Sequence, residues 1–266
     1  MILGASILSL LMLWATTVET VVVGLPARGK VNVTLTPAGK AELERVSAQT
    51  RVKIEIDRPR QPQALAAVMN TYVVWAVSPE GFLENVGELE LEDGKARFDG
   101  TTRFDQLGLL ITAEPHYMVD RPSDAVAYRS RPPESASIRR FSVPVETGAY
   151  DYSKLQPGAP GIASQARAAF QIAVAAQADR LAESEFRLAR AALDTMEEML
   201  KRAAPLDFIM QSAHESIRRF QRAFLIARER TASMALENAD ARARKLEAEL
   251  KEVRQRLQEL ETSRPR

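Results

Sequence analysis

Residues 71–81 read TYVVWAVSPEG, and this stretch decides how the N-terminal half is built. Alternate residues of a strand point to opposite faces, so Tyr72, Val74 and Ala76 share one face and Val73, Trp75 and Val77 the other. Both faces are apolar, which marks a central strand covered on both sides rather than a half-exposed edge. Trp75 is therefore read as core, with an indole N–H that needs a buried partner. An opposing sheet is expected to cover one face. The helical half or a partner protein is expected to cover the face that holds Tyr72 and Val74. Ser78-Pro79-Glu80-Gly81 suits a type I turn, with Ser first, Pro supplying its fixed φ second and Gly fourth.

Working outward, six more short strands are read at 31–36, 51–57, 85–92, 95–99, 108–114 and 124–129. Glu92-Asp93-Gly94-Lys95 places Asp-Gly between two of them, a strong hairpin signal. Antiparallel strands at short spacing without intervening helices predict an immunoglobulin-like β-sandwich over 28–130, with a small barrel as the competing architecture. Residues 131–161 are rich in Pro, Ser and Gly and read as a linker. After Gly161 there is no further glycine, and Pro205 alone interrupts the chain before Pro265. Strands first and helices later predict a multidomain β-plus-α chain rather than a βαβ sheet.

The N-terminal ILGASILSLLMLWA is apolar over the length of a signal-peptide core and too short to span a bilayer, and small residues follow it. Residues 1–24 are read as a signal peptide or N-terminal anchor, which implies export to the periplasm or cell envelope. The lack of any Lys or Arg before Arg28 departs from the usual basic start, and a buried first helix or strand is the competing reading. The chain has 266 residues, 27% of them charged, and a net charge of +1, so no electrostatic footprint for nucleic acid stands out. With no cysteine, disulfides, thiolate metal sites and cysteine nucleophiles are excluded.

The helical half is rich in Ala, Leu, Glu, Arg and Met. One helix is expected over 162–204 and a second from Leu206 to about Ser263, folding back as an antiparallel hairpin over 162–231. Ile209, Ala213, Ile217, Phe220 and Phe224 make the apolar stripe of the second helix. Phe170, Val174, Leu181, Leu188, Leu193, Met196 and Leu200 are the candidates of the first.

From 232 to 263 the pattern sharpens. Leu236, Ala243, Leu250 and Leu257 recur every seven residues, as do Ala232, Ala239, Leu246, Val253 and Leu260. Alternating steps of three and four are the seam of a left-handed coiled coil. With Leu236 at position a, the g residues are Arg242, Glu249 and Arg256, and the following e residues are Glu247, Arg254 and Glu261. In a parallel two-stranded coil these meet across the interface, and every pair is of opposite charge. Residues five apart do not face each other within one helix, so a single solvated helix does not account for the pattern. Asp240–Arg244, Glu247–Lys251 and Glu252–Arg256 do suit such a helix, but the apolar seam decides for self-association into a homo-oligomer, with packing against the protein's own helices as the competing reading.

A search for chemistry finds little. His116 and His214 lie in different modules without metal-ligand spacing, and no nucleophile elbow, P-loop or dinucleotide fingerprint is present. Arg218, Arg219 and Arg222 form a basic patch that reads as a solvated helix face. No catalytic residue and no cofactor is implied. Tyr117 and Tyr128 are the aromatics that a carbohydrate- or peptide-binding module of the periplasm would present to a ligand.

Tyr72, Trp75, Ala76, Pro79, Gly81, Asn85, Gly87, Glu88, Thr112 to Pro115, Pro122 and Ser123 together resemble the N-terminal β-domain of acidobacterial-type cell-envelope proteins. Residues 166–205 look like the Ala-rich helical domain of unknown function that often follows it. In such proteins a peptidoglycan-binding domain of the outer-membrane protein A type commonly closes the chain; this sequence ends after the coiled-coil segment instead. The family's helices tend to break at an Ala-Pro, where this chain has Ala182-Glu183, and that allows an interruption near 179–183. The resemblance implies a non-catalytic envelope protein with envelope-protein or peptidoglycan partners. Membrane attachment would run only through the N-terminal segment.

Overall fold

The computed structural model describes residues 16–26, 29–131, 139–158 and 161–262, with the backbone alone for 258–262. Eleven strands form the first part: β1 (Thr16–Gly24), β2 (Lys30–Thr36), β3 (Lys40–Val46), β4 (Gln49–Asp57), β5 (Thr71–Val77), β6 (Leu83–Glu88), β7 (Glu90–Glu92), β8 (Lys95–Thr102), β9 (Gln106–Glu114), β10 (Val126–Ser130) and β11 (Arg140–Thr147). Four helices follow: α1 (Ile162–Ala175), α2 (Ala178–Leu181), α3 (Glu183–Lys201) and α4 (Leu206–Thr262).

Every strand pairing is antiparallel. The bonded order runs β11-β1-β9-β10-β2-β3-β4-β8-β7, while β5 bonds β9 and β6. Residues 85–92, expected as one strand, fall in two that change partners at buried Leu89: β6 pairs with β5, and β7 pairs with β8. The circuit from β9 round to β5 is thus nearly barrel-like, which the strand pattern alone does not separate from a sandwich because both bury alternate residues. Asp93 and Gly94 both take positive φ (49° and 73°), as the expected Asp-Gly hairpin between β7 and β8 requires.

β5 is buried along its whole length, and its faces have different covers. Tyr72, Val74 and Ala76 face the main β core with Leu43, Ile54, Leu109 and Ile111, and Ile172 and Phe224 of the helices join that core. Val73, Trp75 and Val77 pack instead with Leu110, Val22, Val143 and Val145. The cover over Trp75 is therefore β1 and β11, paired from Thr16↔Thr147 to Val23↔Arg140.

Both strands correct the expected boundaries. Residues 16–24, read as the end of an export segment, are an integral strand; residues 1–15 lie outside the described residues. Residues 140–147, read as linker, are the outermost strand, and 132–138 and 159–160 lie outside the described residues. Pro144 suggested a linker, but an outermost strand has an unbonded edge and tolerates a residue without an N–H. β1 crosses β9 at Gly108, where a Cβ would lie 2.7 Å from both Thr20 Cγ2 and the Val21 carbonyl oxygen. Only glycine admits that approach.

The expected first helix is broken. Gln177 takes a left-handed φ of 58°, and Ala182 leaves helical geometry at φ −140° and ψ 42°, so α1 ends and α3 restarts with a new helical phase. Leu193 and Met196 are buried as expected, but Val174, Leu188 and Leu200 are exposed. Of the two breaks, at Gln177 and at Ala182, only the second lies within 179–183, where the resemblance allows but does not require an interruption. Arg167 pairs with Glu197, and Arg190 lies over the Phe170 ring, so α1 and α3 run antiparallel. α3 and α4 are likewise antiparallel, with Glu185 near Arg219 and Met199 near Ser212. Ile209, Ala213, Ile217, Phe220 and Phe224 are all buried in the helical body.

Deleting residues 1–24 removes Trp14 and the cover over Trp75, leaving Trp75 as the sole tryptophan. Its emission is expected to shift to the red relative to the full-length Trp14→Phe variant, with new binding of a hydrophobic dye. An unchanged spectrum contradicts the described cover.

Candidate functional site

Two features set this chain apart: a polar seam that locks the β module to the helices, and a stem of α4 that leaves the body. The seam is built on the 85–88 and 112–123 stretches. Asn85 Nδ2 donates to the carbonyl oxygens of Tyr117 (2.9 Å) and Val119 (2.8 Å), which pins the segment between β9 and β10. Gly87, at φ 145°, lies under the Phe98 ring, which a Cβ would approach to 3.1 Å. The Glu88 carboxylate accepts from Thr71 Oγ1 and from Gln165 Nε2 of α1 (2.7 Å). Gln165 Oε1 in turn accepts from the Tyr117 N–H at 2.9 Å. Further along, Arg228 of α4 pairs with Asp120 (2.9 Å), bonds Tyr150 Oη and lies over the Tyr150 and Phe224 rings.

Beneath the seam runs a buried chain. Trp75 Nε1 donates to Thr112 Oγ1 (2.8 Å), and that hydroxyl donates to Glu114 Oε1 (2.5 Å). The same carboxyl oxygen accepts the Ser123 N–H (2.7 Å), and Ser123 Oγ donates to the Ala113 carbonyl oxygen (2.7 Å). Glu114 Oε2 and His116 Nδ1 are buried without a partner. Burial dominates both titrations and opposes the charged form. It pushes Glu114 up to about 8 from an ordinary 4.5, against the lowering bonds from Ser123 and Thr112. It also pushes His116 down to about 3 from 6.5.

The two candidate ligand-contact tyrosines belong to this interior. Tyr128 is only 6% exposed and packs edge-on against Tyr72, with ring centroids 6.3 Å apart. It is not an open aromatic, because the alternation of β10 turns it into the core. Tyr117 is partly buried in the seam. Its hydroxyl meets His214 Nδ1 at 3.1 Å, with ring centroids 5.5 Å apart. The structure thus brings Tyr117 to one of the two histidines. Of the arginine patch, Arg218 and Arg219 pair with Glu215, and Arg219 also reaches Glu185, so that face carries its own counter-charges. Among the described residues no cluster of His, Asp or Glu is arranged to hold a metal ion. Gln165, Asp120, Tyr150 and Arg228 escaped the sequence reading, since a polar residue outside a motif carries no local signal. Glu114 did leave one, a carboxylate at the end of an otherwise apolar strand.

The second feature is the stem. The last buried residue of α4 is Ala227, and Arg230 still bonds the Leu181 carbonyl oxygen. From Thr231 to Leu257 every residue is exposed. The seam residues Leu236, Leu246, Leu250, Val253 and Leu257 are 50–64% exposed, and Ala243 is exposed with them. Leu260 falls where the backbone alone is described. At 1.5 Å per residue, α4 is about 85 Å long, and its free part extends about 46 Å. Within the stem, Lys245–Glu249 and Glu252–Arg256 pair along the helix. Comparison with protein-family models, curated proteins and solved structures returns no match.

Two outcomes follow from the buried groups. The raised Glu114 stabilises the fold fully below pH 4.5, and that contribution is lost as pH rises toward about 8. The lowered His116 stabilises the fold above pH 6.5, and that contribution is lost as pH falls toward about 3. Their slopes oppose each other between 4.5 and 6.5, so thermal melts are expected to place maximum stability there. Glu114→Gln is expected to abolish the decline between 6.5 and 8. Tyr128→Ala should cost about 3–5 kcal/mol in a denaturant titration, as for a large buried ring; a cost under about 1 kcal/mol is that of a surface position.

Proposed function

We propose that the chain is a non-catalytic structural or interaction protein of the cell envelope. The β module serves for contact, and the helices for spacing and self-association. The observation that carries this reading is the exposed heptad seam on the free end of α4. Burying one Leu or Val side chain contributes roughly 1.5–3 kcal/mol, while a surface ion pair on a helix contributes roughly 0.2–0.5 kcal/mol. A row of five such side chains held in water is thus a strong drive toward a coiled coil. The layer of β1 and β11 over β5 and β9 supports reading that part of the module as sandwich-like. Exported, periplasmic location rests on the N-terminal apolar segment and on the resemblance to acidobacterial-type envelope proteins. Among the described residues no helix is long and apolar enough to cross a membrane.

Sedimentation velocity of the full chain tests the reading. The wild type is expected to associate at micromolar concentration. Leu246→Glu with Leu250→Glu is expected to sediment as a monomer with an unchanged melting temperature, because both side chains are exposed in the single chain. A wild type that stays monomeric at tens of micromolar removes the self-association. A cytosolic protein with Met1 intact removes the envelope assignment.

A further inference from the structure

The proposed self-association leaves open how the copies are aligned. The charges beside the seam and the placement of the body on α4 bear on that question. Resting on the self-association reading, we infer that a second copy of this chain lies on the seam parallel and in register, with both β modules at the same end of the coil.

The first argument is the charge pattern. In a parallel pair, Arg242 faces the partner's Glu247, Glu249 the partner's Arg254, and Arg256 the partner's Glu261, each twice by symmetry. An antiparallel pair with full overlap sets Leu250 against the partner's Leu246 and brings g beside g and e beside e. Arg242 then faces the partner's Arg256, Glu249 the partner's Glu249, and Glu247 the partner's Glu247; only Asp240 and Arg254 remain opposite in sign. Sliding the antiparallel pair by one heptad leaves Asp240 beside the partner's Glu261 or Glu247 and removes a heptad of apolar contact; one of the two slides also brings Glu247 to the partner's Arg254 and Glu249 to the partner's Arg256, so against that slide the lost apolar contact decides. Like charges across an interface select against an arrangement as effectively as opposite charges select for one.

The second argument is steric. A parallel pair puts two bodies side by side, so neither body can sit on the seam face. Carrying the heptad back along the unbroken α4 places Ala213, Ser216, Ile217, Phe220, Ala223, Phe224 and Ala227, all buried, at positions b, c and f, with buried Gln221 at the flanking position g. The body thus packs on the side of α4 opposite positions a and d. On the seam side, Arg218, Arg222, Leu225, Glu229 and Ala232 are all exposed. Arg218, Arg222 and Glu229 would each meet their own copy across the two-fold axis, which ends the apolar zipper at Ala232 and holds the bodies apart.

The chain has no cysteine, so single introduced cysteines report alignment directly. Under mild oxidation of the full chain, Leu257→Cys is expected to give a disulfide-linked dimer, and Ala248→Cys, on the outer face of the coil, is not. A mixture of differently tagged Ala239→Cys and Leu257→Cys chains is expected to give no mixed disulfide. A mixed 239–257 disulfide, or a Leu257→Cys chain that associates without cross-linking, overturns the parallel alignment while leaving self-association intact. A wild type that sediments as a monomer overturns self-association itself, and the alignment with it.

Discussion

A strand with two apolar faces needs two covers, and the rest of the β module is arranged around that requirement at β5. The face of Tyr72, Val74 and Ala76 looks into the main core, and the face of Trp75 is closed by β1 and β11. Neither cover is sufficient alone. Trp75 also brings a polar atom into a dry place, and a buried donor without an acceptor is costly. The Thr112 hydroxyl accepts a hydrogen bond from the indole N–H and donates its own to Glu114. The strand's apolar alternation therefore obliges a buried carboxyl group, which obliges the Ser123 backbone to turn toward it.

That sequence of obligations explains the cluster of signature residues. Asn85, Gly87 and Glu88 lie on one side, and Thr112, Glu114, Pro115 and Ser123 on the other. They fix the segment between β9 and β10, from which Tyr117 and Asp120 reach the helices. Polar residues spaced like a binding motif are here the fastening between two modules. Their spacing follows the strand register and the bulge between Val74 and Trp75.

Legibility followed the strength of the local pattern. β5, β9 and the Asp-Gly hairpin were plain because apolar alternation and turn chemistry agree there. β3 was missed: Lys40 to Val46 (KAELERV) carries helix formers, yet Ala41 and Leu43 are buried between β2 and β4. Tertiary pairing overrides weak local preference at such a strand. β1 and β11 were missed for the converse reason, since each carries a real signal for something else, an apolar export-like run and a proline. Their pairing spans more than a hundred residues, and no local window contains both. The seam of the stem was readable residue by residue, because a heptad repeat is local and needs no partner to be seen. The buried Tyr128 was not, because its exposure depends on which face of β10 turns inward.

α4 joins the two kinds of order. For its first turns it is a core element, chosen for the residues at b, c and f that meet α1, α3 and the β module; past Arg230 it is chosen for those at a and d. A helix that kept one apolar face throughout would have to bury the whole stripe in the body or expose all of it. Moving the stripe to the opposite side at the point of exit avoids that conflict. It needs the helix to run without a break, because a glycine or proline near 228–232 would uncouple the two phases. The chain holds neither between Pro205 and Pro265. The rigid transfer from packed face to free face is therefore built from composition alone.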